Sequence, residues 1–203
     1  MHRQLCAVRP DGSGGIFRLV TPPNDGDTEE NLSHEEKLRR ERQRMHAVGV
    51  TSYAWSGRAS VSPLVMVPLQ GGVFIHDHTG TSGDGALRPV YLKDALGGGA
   101  IDPQLSPDAQ SVAFVVDGEI FVVPTSATAE ATVPRQITSG ARGQGKTNGI
   151  ADYVAQEEMD QYRGFWWSPD STKIAFTQVG SCSQMLKGTS CSHPEPGSSS
   201  CPN

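Results

Sequence analysis

One short phrase occurs twice in this chain and constrains its fold more than any other feature. Leu105-Ser106-Pro107-Asp108 leads into Ser111-Val112-Ala113-Phe114, and Trp167-Ser168-Pro169-Asp170 leads into Lys173-Ile174-Ala175-Phe176. In both copies a turn-forming Ser-Pro-Asp stands the same distance before a run of β-branched and aromatic residues, so a turn and a strand recur in register. Trp55-Ser56-Gly57 reads as a third, degenerate copy. The copies lie about 50 and then about 62 residues apart, which exceeds a bare four-stranded propeller blade by roughly one inserted segment. This pattern predicts a β-propeller with an insertion in one blade. A two-sheet sandwich would satisfy the strand count equally, but it does not require a repeated turn-strand phrase.

The remaining pattern is all-β in character. Short apolar runs at Leu64-Val65-Met66-Val67-Pro68-Leu69, Gly72-Val73-Phe74-Ile75-His76 and Glu119-Ile120-Phe121-Val122-Val123 alternate with turns, and Gly 23 and Pro 14 weight the composition towards turns. Asp117-Gly118 is a type I′ hairpin signal between two such runs. Four segments are expected: a flexible leader over 1–30 with at most one strand, a charged helix over 31–48, the propeller part over 49–179, and a disordered Ser/Gly/Pro/Cys tail over 180–203. The helix is marked by Ser33 with Glu36 three residues on, a capping box, and by Lys37-Leu38-Arg39-Arg40-Glu41-Arg42. Its few apolar residues predict a surface position, where it would serve either as a plain solvated helix or as part of a site. A chain of this length supplies about two to three blades, so the expected fold is an incomplete propeller.

Charge and cysteine content narrow the function classes. The net charge is −5 without a basic stripe, which argues against nucleic acid as a partner and makes a cationic ligand the easier fit. No apolar run has the length of a secretory signal or a membrane span, so the expectation is a cytoplasmic protein with no membrane association. Cys6 stands alone while Cys182, Cys191 and Cys201 crowd the end, so disulfides are not expected to hold the fold. Those three cysteines with His193 offer zinc-type ligands, but no close Cys-x-x-Cys knuckle preorganises them. No metal and no cofactor is expected.

The chemistry is concentrated between the two clear repeat copies. There the chain reads Gly149-Ile150-Ala151-Asp152-Tyr153-Val154-Ala155-Gln156-Glu157-Glu158-Met159-Asp160-Gln161-Tyr162-Arg163-Gly164-Phe165-Trp166-Trp167-Ser168-Pro169-Asp170. This run resembles the glutamate-bearing helix of the dipeptidyl peptidase IV family of prolyl oligopeptidase-like serine exopeptidases. In that family a Gln-Glu-Glu or Glu-Glu-Glu phrase is followed by Gly or Ala, paired aromatics and Ser/Ala-Pro-Asp/Asn. A looser match, Glu35-Glu36-Lys37-Leu38-Arg39-Arg40-Glu41-Arg42 followed by Gly49-Val50-Thr51-Ser52-Tyr53, is similar to the charged helix and first strand of the intracellular members and their plant, algal and bacterial relatives.

The resemblance implies that Glu157 and Glu158 bind substrate by holding the free N-terminal ammonium of a peptide, whose three N–H donors suit two carboxylates. Without it, two adjacent acids on an exposed helix would be read as a solvated surface. Gln156 and Tyr153 either orient the acids or pack, and Trp166 and Trp167 are expected in blade packing. The family also uses an arginine from another propeller loop to hold the substrate carbonyl, which no motif in this sequence locates. The implied partners are peptides with a free N-terminus and the hydrolase domain of a full-length product. The family's homodimers extend the expectation of dimerisation to that product. A propeller-like interaction fragment without a protease role is the alternative.

No serine in the chain sits in a Gly-x-Ser-x-Gly elbow and no βα alternation provides a hydrolase fold, so no catalytic residue is expected here. The purified chain is therefore expected not to release dipeptides from Xaa-Pro chromogenic substrates. Turnover that co-purifies with it and scales with its concentration would contradict this.

Overall fold

A computed structural model describes residues 2–20, 32–44, 48–57, 63–77 and 87–180. The chain opens with β1 (His2–Arg3), β2 (Leu5–Val8) and β3 (Ile16–Val20), then α1 (His34–Arg42) and β4 (Val48–Gly49). Next, β5 (Ala54–Trp55), β6 (Leu64–Leu69), β7 (Gly72–Asp77) and β8 (Leu87–Tyr91) form a four-stranded antiparallel sheet in sequence order. A second such meander follows in β9 (Ile101–Leu105), β10 (Ser111–Val116), β11 (Glu119–Pro124) and β12 (Arg135–Gln136). Then come β13 (Lys146–Asn148), α2 (Tyr153–Glu158), β14 (Phe165–Trp167), β15 (Ile174–Phe176) and β16 (Gln178–Gly180), with β14 paired to β15 and β13 to β16. The architecture is all-β with two short α-helices and one 3-10 turn, Lys93–Ala95, among the described residues.

The central strands are apolar on both faces, as strands covered from both sides must be. In the second sheet Val112, Phe114, Val116, Phe121 and Val123 face the first sheet, meeting Met66, Val73, Ile75 and Tyr91. The aromatic contacts Tyr91 to Phe114 and Phe114 to Phe121, with centroids 4.5 and 6.4 Å apart, lie in this seam. The opposite face, Ala113, Val115, Ile120 and Val122, packs on Phe165 and on the flanks of Trp167 and Ile174. The far face of the first sheet, Val65, Val67 and Leu69, receives Leu19 and Val20 from β3. The β2–β3 hairpin, the two sheets and the β14–β15 pair thus stand side by side as successive layers.

The repeated phrase is identical at the level of hydrogen bonds. Ser106 N–H donates to the Ser111 carbonyl, Ser111 N–H donates to Ser106 Oγ, and Asp108 Oδ1 accepts from Ser106 Oγ and from Gln110 N–H. Ser168, Asp170, Thr172 and Lys173 repeat every one of these bonds. Hydrogen bonding, led by the serine hydroxyl, holds both Asp108 and Asp170 below the usual carboxylate range. The degenerate copy keeps the serine half: Ser56 N–H donates to the Leu64 carbonyl and Leu64 N–H to Ser56 Oγ. Successive turns also touch, since Asp108 N–H donates to Ser171 Oγ at 3.0 Å. At the other end of the sheets, Asp117 and Gly118 both have positive φ, 49° and 72°, as the type I′ turn requires.

Three sequence expectations need correction. Residues 2–20 are not a loose leader, because they form the β2–β3 hairpin with Leu19 and Val20 in the core, and β1 pairs with β4. The charged helix does not run over 31–48: it spans only His34–Arg42, Arg44 has a φ of 52°, and Val48 already belongs to a strand. It is also not merely solvated, since Glu36 is buried and its carboxylate takes up Arg39 and Arg40. Gly180 lies in β16, and the rest of the expected tail, 181–203, is outside the described residues.

Glu119 shows how the second sheet holds its outer loop. This buried carboxylate accepts from Thr138 Oγ1 at 2.6 Å and Asn148 Nδ2 at 2.9 Å, and from the Ala141 and Arg142 N–H groups at 2.6 and 3.4 Å. Burial pushes its pKa up, but these donors outweigh it and hold the group below the ordinary 4.5. Its stabilising contribution is therefore complete above the unfolded value and is lost as pH falls through the lower folded value. Glu119→Gln, which turns a donor towards donors, should cost roughly 1–3 kcal/mol in urea unfolding at neutral pH and flatten the acid limb of the stability curve. An unchanged midpoint would show that the network does not carry the loop.

Candidate functional site

The segment with the paired acids is a closed excursion from the body of the fold. Gly149 N–H donates to the Thr177 carbonyl and Thr177 N–H donates to the Gly164 carbonyl, so both ends of the loop are tied to one residue. A Cβ on Gly164 would lie 2.4 Å from the Gly149 carbonyl carbon and 2.5 Å from Ile150 backbone atoms, so glycine is what lets the two ends meet. Within the loop Asp152 caps α2, its Oδ1 accepting from Ala155 N–H at 2.9 Å. Gln156 is buried and donates from Nε2 to the Ala151 carbonyl at 2.7 Å. A helix of six residues could not persist alone, and these contacts are what hold it.

Arg42, at the end of α1, meets this helix. Its Nη1 donates to Gln156 Oε1 at 3.1 Å, and its Nε lies 3.4 Å from Glu157 Oε1. Its guanidinium carbon sits 5.0 Å from the ring centroid of Tyr153, within cation–π range, while Tyr162 Oη donates to its carbonyl at 3.5 Å. Glu157 is therefore exposed but paired. Glu158 is exposed and makes no hydrogen bond or ion pair among the described residues. The two acids predicted from sequence are adjacent at the end of α2, Gln156 is the residue that packs, and Tyr153 lies outside beneath the guanidinium.

Behind α1 lies a cavity of about 590 Å³, whose walls include Glu36, Arg39, Asp102, Tyr162, Arg163 and Trp166. Neither Glu157 nor Glu158 is part of its wall. Asp102 reaches it from a β-bulge in β9, where the register with β10 shifts and Asp102 takes a φ of 47°. Its Oδ1 accepts from Arg39 Nη2 at 3.2 Å and its Oδ2 from Gln104 Nε2 at 2.8 Å. Burial raises its pKa, opposed by the charge of Arg39, the Gln104 hydrogen bond and the charge of Arg163. Trp167 packs as expected and donates from Nε1 to the Gln104 carbonyl at 3.3 Å, whereas Trp166 is partly exposed on the cavity wall and not buried between layers.

Sequence reasoning missed Arg42 and Asp102. Their roles depend on partners far along the chain, Gln156 and Arg39, and no local pattern reports these. A signal for Asp102 did exist, because Asp-Pro inside the short run Ile101–Leu105 marks a bulge or an edge. Cys6 is exposed and free, the other three cysteines lie outside the described residues, and no cluster of metal-ligating side chains occurs among the described residues. No helix among them is long and apolar enough to cross a membrane.

The loop ends give a sharp test of local architecture. Gly164→Val should cost roughly 1–3 kcal/mol of stability, because the clash is with backbone that cannot rotate away. Thermal unfolding unchanged from the wild type would show that the loop closes in another way.

Residues 70–183 match the family described as the dipeptidyl peptidase IV (DPP IV) N-terminal region. The chain is 29% identical to human dipeptidyl peptidase 8 over 142 residues, covering 68% of this chain and 16% of that protein. It is 27% identical to the mouse protein of the same name over 146 residues, covering 70% and 16%. The chain thus spans 16% of the length of these curated relatives. Among solved structures, Porphyromonas gingivalis dipeptidyl peptidase 4 aligns over 86% of this chain and 25% of its own, with a TM-score of 0.47 and 19% identity.

Proposed function

The chain belongs to the dipeptidyl peptidase IV family through that family's N-terminal region, and from this premise we propose that it is the propeller portion of a serine-type dipeptidyl peptidase that docks the free N-terminal amine of its peptide substrates. In this reading the two four-stranded meanders are successive blades, and α2 is an insertion that carries the docking groups. The observation that supports it most directly is the pairing of two adjacent, exposed carboxylates on a helix whose base is pinched shut, beside an arginine from a different part of the chain.

The chemistry follows from donor and acceptor counting. A peptide ammonium offers three N–H donors, and two neighbouring carboxylates supply charge-assisted acceptors that an acetylated N-terminus cannot engage. Arg42, which donates to Gln156 and pairs with Glu157, is the arginine that fits the family's carbonyl-holding role. Its fork can keep one contact to α2 while another N–H reaches a substrate carbonyl, so amine and carbonyl would be gripped within one residue of each other. Cleavage after the second residue then falls to a hydrolase domain in the full-length product, for which this portion measures distance from the N-terminus.

Binding of Ala-Pro amide to the 203-residue chain, followed by NMR titration, tests the reading. Glu157→Ala and Glu158→Ala should each weaken it by roughly ten- to a hundredfold, the value of a lost charge-assisted hydrogen bond. N-acetyl-Ala-Pro amide should bind wild type and variants equally poorly. Equal affinity of the wild type and both variants for the free-amine peptide would refute the docking role.

A further inference from the structure

α1 has no apolar face adequate to hold it. Its nine residues are His-Glu-Glu-Lys-Leu-Arg-Arg-Glu-Arg, shorter than an isolated helix needs to persist in water. Its N-terminus is capped by Ser33, whose Oγ accepts from Glu36 N–H at 3.2 Å. The tie from its middle to the body of the fold is polar: Arg39 Nη2 to Asp102 Oδ1 at 3.2 Å, with Glu36 holding Arg39 and Arg40 at 3.4 and 3.1 Å. Arg39 and Arg42 are three residues apart and so lie on neighbouring positions of one helical face. The contact to β9 and the contact to α2 are thus successive along the same stripe.

Asp102 is an unusual residue for its position. A left-handed backbone at a bulge is most easily supplied by glycine or asparagine, and a buried carboxylate is costly unless paired. Its geometry turns the carboxylate out of the strand ladder and towards α1, where Arg39 offsets part of that cost. We propose that Asp102, acting through Arg39, is the positioning residue that fastens α1 to the second sheet and so sets Arg42 against Gln156 and Glu157. This rests on the docking reading above. The chain of contacts runs from the bulge in β9 through Arg39, along one turn of α1 to Arg42, and across to α2. Ammonium binding at the paired acids would then depend on a residue that touches no part of the substrate.

The test uses the whole chain with Asp102→Asn, Arg39→Gln, Arg39→Lys and the Asp102→Asn/Arg39→Gln double variant. Asparagine tolerates the left-handed conformation, so the bulge itself should survive. Hydrogen exchange of α1 amides should accelerate by roughly ten- to a hundredfold in Asp102→Asn and Arg39→Gln, with β10 amides unchanged. The double variant should be no faster than either single one, because both remove the same interaction, and Arg39→Lys should recover part of the protection. Affinity for Ala-Pro amide should fall in step with α1 exchange, while N-acetyl-Ala-Pro amide should bind all variants alike. Unchanged α1 exchange in Asp102→Asn would overturn the fastening, whatever the peptide does. Accelerated exchange with wild-type affinity for the free-amine peptide would overturn the positioning role. If Glu157→Ala and Glu158→Ala also bind that peptide like wild type, docking fails too, and the exchange data decide the fastening alone.

Discussion

Burial of both faces of β10 and β11 governs the rest of the structure. Val112, Phe114 and Val116 look one way and Ala113 and Val115 the other, and nearly all of them are out of reach of water. Such a strand cannot belong to a sheet with one wet face, so each sheet must find a neighbour on either side. Layers then have to stack laterally, and the turns joining their strands are left at the two ends of the stack. At one end Ser106 and Ser168 build identical turns, and the bond from Asp108 to Ser171 fixes one layer relative to the next. The apolar seams supply the driving force, and the turns supply the register in which it acts.

Polar groups sort into two kinds on this scaffold. Glu119 meets four donors from the loop after β12 and from β13, so it ties an element that already exists to the chain that follows it. Asp102 takes one contact from its own strand and one from a helix otherwise short of attachments. Both are buried carboxylates, yet one ends below the ordinary range and the other above it. At Asp102 desolvation is the largest effect and Arg39, Gln104 and Arg163 do not offset it, whereas at Glu119 the four donors together do.

Much of the fold was legible because its signals are local. The Ser-Pro-Asp phrases predicted equivalent turns, and even the degenerate copy at Ser56 retains the serine half of the bonding. Asp117-Gly118 gave its turn, while Gln70-Gly71 makes the equivalent left-handed pair in the other sheet and was overlooked because glutamine is a weak turn former. The hairpin at residues 2–20 was underestimated because Leu5–Val8, though apolar throughout, is only four residues long and half-buries only alternate positions, so its order comes from pairing with Ile16–Val20. The charged helix was overextended for the opposite reason. Its propensity continues past Arg42, but the chain must turn back for Val48 to join β1. At the candidate site the acids were visible as a pair, whereas the arginine beside them was hidden by the distance in sequence between α1 and α2.

The asymmetry of that pair has a consequence for how it would receive a charged amine. Glu157 already faces Arg42 at 3.4 Å, a half-exposed contact that biases its orientation towards the guanidinium. Glu158 has no partner among the described residues, so its lone pairs remain exposed to solvent. Under the docking proposal, an incoming ammonium would meet Glu158 in solvent and would share Glu157 with Arg42. The pinched base at Gly149 and Gly164 serves the same end, because a loop closed by backbone contact loses less freedom on binding than an open one. Orientation at Glu157 and accessibility at Glu158 are opposite demands on a carboxylate, and under the docking proposal two adjacent residues on a pinned helix would meet both.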